Sequence, residues 1–449
     1  MLRRRNNINE PHLDYSPYPP TDPSHHHHEY VGLILDDDEI QKRLRCCRPS
    51  RRCFLLCLSP FLLSFLLLSI VAALSSFDPR PFQLPSPAPL TNALISNDLI
   101  PSAIKLLKDE IKGSEGFLIE ENVLWVTSID GRLLRVVNGR IEDSLYLSEK
   151  CTVSPSECGR PLSIGRLNSS SLLVVDAYRG VLSVDFPNRK VSTLIPSSSP
   201  IDRLTTLHYI HDVGVIDSDN LVLTERSTKY SPHFRPYERM EHRPNGRLFH
   251  YEISRKRITQ LLDGLFEPSG VEVAQDRDQF IFAETGTGEV LSYNMRSKGL
   301  TRFTEEVPGL PSMVRLTKQR DALWVSMEEV RLNEKGAPTS LPEYLQQWPF
   351  IRKILLSIFP SSIFKSIYES FAPPHLLAVK YSMQGKPLVS LHAPRGIPNN
   401  QKVKGIAQVS EGPEGVFLSF FKGNHIAKIN KRYVDVLQEG IANSARRRG

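Results

Sequence analysis

The chain has 449 residues, with 56 basic and 49 acidic side chains, a net charge of +7 and 40% hydrophobic content. That length holds one large domain plus appended segments. The charge excess is modest, and no stripe of Lys and Arg interleaved with aromatics crosses the large domain, so nucleic-acid binding finds no support.

In chain order, residues 1–53 are rich in Pro, His, Tyr and Asp and poor in apolar side chains, which predicts a disordered tail. His25 to His28 form a low-complexity run, a weak metal binder at most. Glu29 to Ile34, EYVGLI, has the look of a tyrosine- or dileucine-type sorting signal. Phe54 to Leu74 contains no charged residue. It is long enough to cross roughly 30 Å of hydrocarbon as a helix. Lys42, Arg43, Arg45, Arg48, Arg51 and Arg52 precede it, whereas the first basic residue after it is Arg80. This asymmetry predicts a cytoplasmic tail and places everything after Leu74 in the lumen or outside, a single-pass type II arrangement. A cleaved signal peptide is the competing reading, but it has a shorter apolar core and a shorter leader. Cys46 and Cys47, beside Cys53 and Cys57, stand at the cytoplasmic face. They are either lipidation candidates or small tolerated residues.

Residues 75–100 read as a linker. Beyond Leu74 the only cysteines are Cys151 and Cys158 in CTVSPSECGRP. Their spacing fits neither a redox C-x-x-C nor a zinc pair, and no histidine lies between them. On the oxidising side of a membrane they are expected to pair and close a short loop. Asn168, in NSS, begins the one N-x-S/T sequon of the chain and is expected to be glycosylated there.

From about Gly113 onward the chain repeats a unit of apolar strand, polar turn and second strand. The units lie at 124–137, 172–185, 221–253, 280–294, 322–382 and 416–430, the third and fifth carrying insertions. A strand pair cannot bury its own faces, so such units stack around an axis. The predicted fold is all-β, a six-bladed β-propeller over 101–435. A β-sandwich is the runner-up, but it leaves the recurring turns DGR, YRG and TGE unexplained. The insertion at 341–371 has helical spacing, with Trp348, Ile351, Leu355, Ile358 and Phe359 on one face. It reads as a helical cap or, given its flanking Arg352, Lys353 and Lys365, as a lid or second membrane contact. Residues 436–449 read as a basic tail.

The blocks ECGRPLSIGRLNSSSLLVVDAYRGVLSVD, GRLFHYE, FAETGTGEVLSY, VPGLPSMVR and PEYLQQWPFIRK resemble the strictosidine synthase-like propellers, over about Pro101 to Asn430. The resemblance implies a six-bladed propeller related to calcium-dependent lactonases and arylesterases, and to a plant enzyme that condenses an amine with an aldehyde. In the calcium-dependent relatives, tunnel loops supply oxygen ligands. Position by position, Glu115 of GSEGF retains a carboxylate. HD at His211 and Asp212 stands where Asn-Asp is usual, Ser269 replaces an amide, and Ser312-Met313 replaces Asp-Asn. Calcium takes six to eight hard oxygens, so two carboxylates and two hydroxyls predict a degraded site. His211, Asp212 and Glu115 as a set suit zinc or iron better. His208 or His211 with Asp212 and Ser269 or Ser312 has the residue types of a Ser–His–Asp relay, but no G-x-S-x-G elbow accompanies them. For the condensing enzyme, the resemblance aligns its catalytic glutamate with Ala407, and Glu411 is a strand-shift away. The expectation is a lumenal or surface binding protein for an unknown small molecule or protein, with an arylesterase- or lactonase-type hydrolase as the alternative.

Overall fold

The computed structural model describes residues 51–148, 158–331, 340–398, 400 and 403–447. Residues 1–50 and Cys151, and with them the expected tail and Cys46 and Cys47, lie outside the described residues. Two compact units divide the chain near Leu66. Helix α1, Arg51–Leu74, contains the apolar run. Among the described residues no helix is long and apolar enough to cross a membrane.

The second unit is a six-bladed propeller. Its first blade is β2 (Phe117–Glu120), β3 (Val123–Ser128), β4 (Arg132–Val137) and β5 (Arg140–Tyr146). The second is β6 (Pro161–Arg166), β7 (Leu172–Asp176), β8 (Gly180–Asp185) and β9 (Lys190–Pro196). The third is β10 (Tyr209–Val215), β11 (Asn220–Ser227), β12 (Gly246–Glu252) and β13 (Arg257–Leu265). The fourth is β14 (Pro268–Val273), β15 (Gln279–Glu284), β16 (Glu289–Asn294) and β17 (Gly299–Thr304). The fifth is β18 (Gly309–Leu316), β19 (Ala322–Val330), β20 (Leu376–Ser382) and β21 (Pro387–Ala393). The sixth is β22 (Ile406–Gly412), β23 (Gly415–Phe420) and β24 (Ile426–Asn430), completed by β1 (Ile104–Leu106) from the other end of the chain. Strand β1 pairs antiparallel with β24, Lys105 opposite Ala427, and closes the ring without an exposed sheet edge between first and last blades. The units read from the sequence are the two middle strands of each blade.

Those strands are buried on both faces, because each sheet packs on two neighbours. Leu173 and Val175 of the second blade share a cluster with Leu221, Leu223 and Phe249 of the third. Inner strands approach so closely that a Cβ on Gly270 would sit 2.5 Å from Met313 Cα. The stretch read as a linker packs on the propeller instead: Ala88 N–H donates to Val307 O at 3.0 Å, and Leu94 joins the core of the fourth and fifth blades. The expected basic tail falls mostly within helix α6, Lys431–Arg446, whose Val434 is buried beside Ile429 and Leu418.

Two insertions form a cap. Helix α2, Arg235–Glu241, lies between β11 and β12; α3 (Leu341–Tyr344), α4 (Pro349–Ile358) and α5 (Ser361–Ser370) lie between β19 and β20. Tyr237, Met240, Leu356 and Phe364 bury one another, and Phe77 packs against them. The apolar face read from the sequence is split: Leu355 and Phe359 pack against this cluster, whereas Trp348 is 60% exposed and Ile358 44%, and Arg352 is fully buried. Arg352 donates to Met240 O at 2.5 Å and to Arg80 O, and lies over the Phe82 ring. Its long stem packs like an apolar side chain while carbonyls satisfy the guanidinium.

Candidate functional site at the propeller axis

The innermost strands carry their first residues toward the cap. There a cavity of about 220 Å³ lies between propeller and cap. Glu115, Arg160, Glu328 and Phe421 from the blades, Arg235 and Arg239 from α2, and Tyr368 from α5 contribute to its lining.

Beneath it is a layer of buried ion pairs. Arg226 Nη2 lies 2.7 Å from Glu267 Oε2 and 3.2 Å from Glu328 Oε2. Arg239 pairs with the same Glu267, its Nη2 at 3.1 Å from Oε2, and Arg235 pairs with Glu328. Burial opposes ionisation of Glu267, but Arg239 and Arg226 outweigh it and hold the carboxyl at about 2. Burial likewise opposes ionisation of Glu328, and Arg235, Arg226 and Arg239 hold it far below the ordinary range. Neighbouring Glu329 lacks comparable pairing, and burial pushes it up to about 7. Each insertion thus folds over the axis because its charged residues find partners on the blades.

The residues singled out by the sequence are all present but do not form one constellation. Glu115 holds Arg160. Asp212 is clamped by Arg315, with Nη1 at 2.7 Å from Oδ2 and Nη2 at 3.1 Å from Oδ1, and also accepts from Val271 N–H at 2.8 Å. This bidentate fork occupies the oxygens a cation needs. His211 faces Arg226, Nε2 to Nη1 at 3.5 Å, and its Nδ1 has no hydrogen-bond partner. Burial, then Arg226 and Arg235, drive its pKa well below the ordinary imidazole value, so it stays neutral. Ser269 Oγ lies 2.8 Å from Ser312 O and 2.8 Å from Thr285 Oγ1; Ser312 Oγ is buried without a partner. His208 turns to Ser227 O, its Nδ1 at 3.3 Å. Neither histidine is hydrogen-bonded to Asp212 or to either serine, so the relay of residue types is not a relay of contacts. Among the described residues, no group of three His, Cys, Asp or Glu is arranged to hold a metal ion. Ala407 is buried, and Glu411, near the other end of β22, accepts from Lys380 at 2.9 Å and Lys431 at 2.7 Å. Glu411 lines the opposite mouth of the axis, a cavity of about 520 Å³, rather than the capped one.

The sequence reading missed Arg160, Arg226, Arg235, Arg239, Glu267, Glu328 and Arg315. A signal was available. Charged residues recur where the first strand of a unit ends, as Glu225-Arg226, Glu284 and Glu328-Glu329, inside otherwise apolar strands.

Cys158 is disulfide-bonded, and its expected partner Cys151 lies outside the described residues. Asn168 is exposed in the turn between β6 and β7, its Oδ1 accepting from the Ser170 and Ser171 amides.

The strictosidine synthase family profile matches residues 211–298, which include His211, Asp212, Arg226, Arg235, Arg239, Glu267 and Ser269. The adipocyte plasma membrane-associated protein of Bos taurus is 28% identical over 385 residues, 84% of this chain and 90% of that one. Its Homo sapiens counterpart is 27% identical over 367 residues, covering 80% and 85%. A gluconolactonase structure from Xanthomonas campestris aligns at 14% identity and a TM-score of 0.48, covering 78% of this chain and 98% of that one. The chain is a six-bladed propeller, similar to strictosidine synthase over residues 211–298 and to the adipocyte plasma membrane-associated proteins over most of its length.

Proposed function

We propose that the chain is a single-pass type II membrane glycoprotein whose propeller acts as a lumenal or surface binding protein. In this reading, ion pairs have replaced a calcium-dependent hydrolase site. The observation that carries it is the state of the two surviving carboxylates: Arg160 holds Glu115 and Arg315 holds Asp212. A guanidinium neutralises each charge that a divalent cation would otherwise neutralise, and it offers no open coordination position to polarise an ester carbonyl.

The uncharged run Phe54 to Leu74 and the basic cluster before it support the anchor. The disulfide at Cys158 and the exposed sequon at Asn168 both fit the oxidising, glycosylating side. Immediately after the helix, Ser75 Oγ is hydrogen-bonded to Ser357 Oγ of α4 at 2.7 Å, and Phe77 sits in the cap cluster. Exposed Trp348, Ile351 and Ile358, with Lys353 beside them, suit the interface between headgroups and acyl chains.

The test is metal content and aryl-ester turnover of the full chain in lipid nanodiscs, beside Glu115→Ala/Asp212→Ala. The expected result is no stoichiometric metal, and turnover no different from the variant. Bound metal together with turnover that the variant loses would establish the hydrolase instead.

A further inference from the structure

The cavity under the cap is charged in a way the ion pairs do not exhaust. Among the described lining residues, Glu115 is held by Arg160, Glu328 by Arg235 and Glu369 by Lys422, while burial pushes the fourth carboxyl, Glu329, up to about 7. Arg239, Lys365 and Lys404 line the same space with no carboxylate of their own among the lining residues, apart from a 3.5 Å approach of Arg239 to Glu328. Lys404 has only a 3.4 Å contact with Ala372 O. Three buried guanidinium N–H groups in the lining, Arg160 Nε, Arg235 Nε and Arg239 Nη1, have no hydrogen-bond partner. The Arg239 side chain is only 5% exposed, so bulk water does not serve it. Burial, followed by Lys422, lowers the Lys365 pKa; Glu369 opposes this, and Arg160 and Arg235 add to it. The remaining wall is apolar: Arg235 stacks over the Phe421 ring at 4.8 Å, with Tyr368, Ile129, Pro232 and Pro236 around it.

Guanidiniums that keep an unpartnered N–H beside their carboxylate pairs call for a further anionic acceptor, and the apolar wall calls for a compact body attached to it. We infer that the capped cavity binds an organic carboxylate with a small aryl or branched apolar body, its oxygens toward Arg239 and Arg160 and its body against Phe421 and Tyr368. This rests on the reading of the propeller as a binding protein and names the class of ligand. The fit is to an anion: a protonated amine would meet three unpaired guanidinium N–H groups and two lysines.

Benzoate is the probe, with benzamide as its neutral isostere and benzylamine as the cation. Each is titrated calorimetrically into the full chain in nanodiscs, at low and at raised salt. Saturable benzoate binding, at least tenfold tighter than benzamide and weakened by salt, is expected. Arg239→Gln removes a buried partner of Glu267 and risks misfolding. The deciding variant is therefore Lys365→Gln/Lys404→Gln, which touches no buried pair. It is expected to weaken benzoate about tenfold and leave benzamide unchanged, with the melting temperature held. Benzoate binding no tighter than benzamide, or unaffected by the lysine variant, overturns the inference. Benzylamine binding tighter than benzoate overturns it too, but leaves a binding protein standing. Metal-dependent aryl-ester turnover in the same preparation would remove the binding-protein reading and leave the anion preference as it was measured.

Discussion

Replacing Glu267 by Gln keeps the shape of the buried layer and removes one of its charges. Glu267 has a 4% exposed side chain and serves both Arg226 and Arg239. Without it, Arg226 and Arg239 are left to share Glu328 with Arg235, and breaking a buried pair from one side costs about 3–5 kcal/mol. The pKa gives a second route to the magnitude. The carboxyl titrates at about 2 in the folded chain against 4.5 for the free side chain, and at 1.36 kcal/mol per unit the difference is worth about 3 kcal/mol. A folded value below the unfolded one means the contribution is complete above pH 4.5. It is lost as pH falls toward 2. For a propeller of this size the entropy of unfolding scales to a melting shift of about 1 °C per kcal/mol, so Glu267→Gln should melt roughly 3–5 °C lower at pH 7. The assay is differential scanning calorimetry of both proteins in the same nanodiscs from pH 7 to pH 3. Acid-sensitive groups remote from Glu267 cancel in the difference, whereas Glu238, Glu328 and His242 interact with it. The gap should stay constant down to about pH 4.5 and narrow below it. A gap under 1 °C at neutral pH, or one that does not narrow in acid, would refute the account of the layer.

Three further outcomes are expected. Millimolar calcium against chelator should move the melting temperature by less than about 1 °C. A site saturated a hundredfold would add about 2.7 kcal/mol, and that gain would show that the Arg160 and Arg315 clamps yield to a cation. In nanodiscs of brominated phospholipid, Trp348 emission should be quenched and Trp348→Phe should abolish the lipid-dependent part, because Trp125 and Trp324 are buried in blades; identical quenching in both proteins would place the cap away from the bilayer. Gly270→Ala should lower stability by about 1–3 kcal/mol or prevent folding, since its Cβ would meet Met313 Cα at 2.5 Å and Val314 N at 2.6 Å. The comparison is Gly440→Ala in α6, which meets nothing within 4 Å and should gain up to about 1 kcal/mol in chemical denaturation.

The blades were legible in the sequence because the signal for them is local. Each unit repeats an apolar strand, a turn and a strand, as in LWVTSIDGRLLRVV, and stacking is the one way such pairs bury both faces. The outer strands were less legible. β5, β9 and β17 are mostly exposed on their outer positions and carry polar residues that read as loop. Closure of the ring by Ile104–Leu106 was not legible, because a three-residue strand acquires its identity only from its partner β24. The helical insertion was read as helical, and Leu355 and Phe359 of its apolar face pack on the cap, but the burial of Arg352 was not legible. Periodicity finds the apolar stripe of α4, whereas burial of Arg352 depends on three carbonyls that other segments present to it.

The same division governs the site. The residue types at Glu115, His211, Asp212, Ser269 and Ser312 carry the expectation of a degraded calcium site, since composition limits which ligands exist. Which partners those residues take was decided by tertiary structure alone. Arg160 is 45 residues from Glu115, Arg315 is 103 from Asp212, and Glu328 is 102 from Arg226. A guanidinium at such a distance is one charge among many in the sequence. Only the ring of blades sets it against its carboxylate, and burial then makes the pairing strong enough to fix the protonation of the axis.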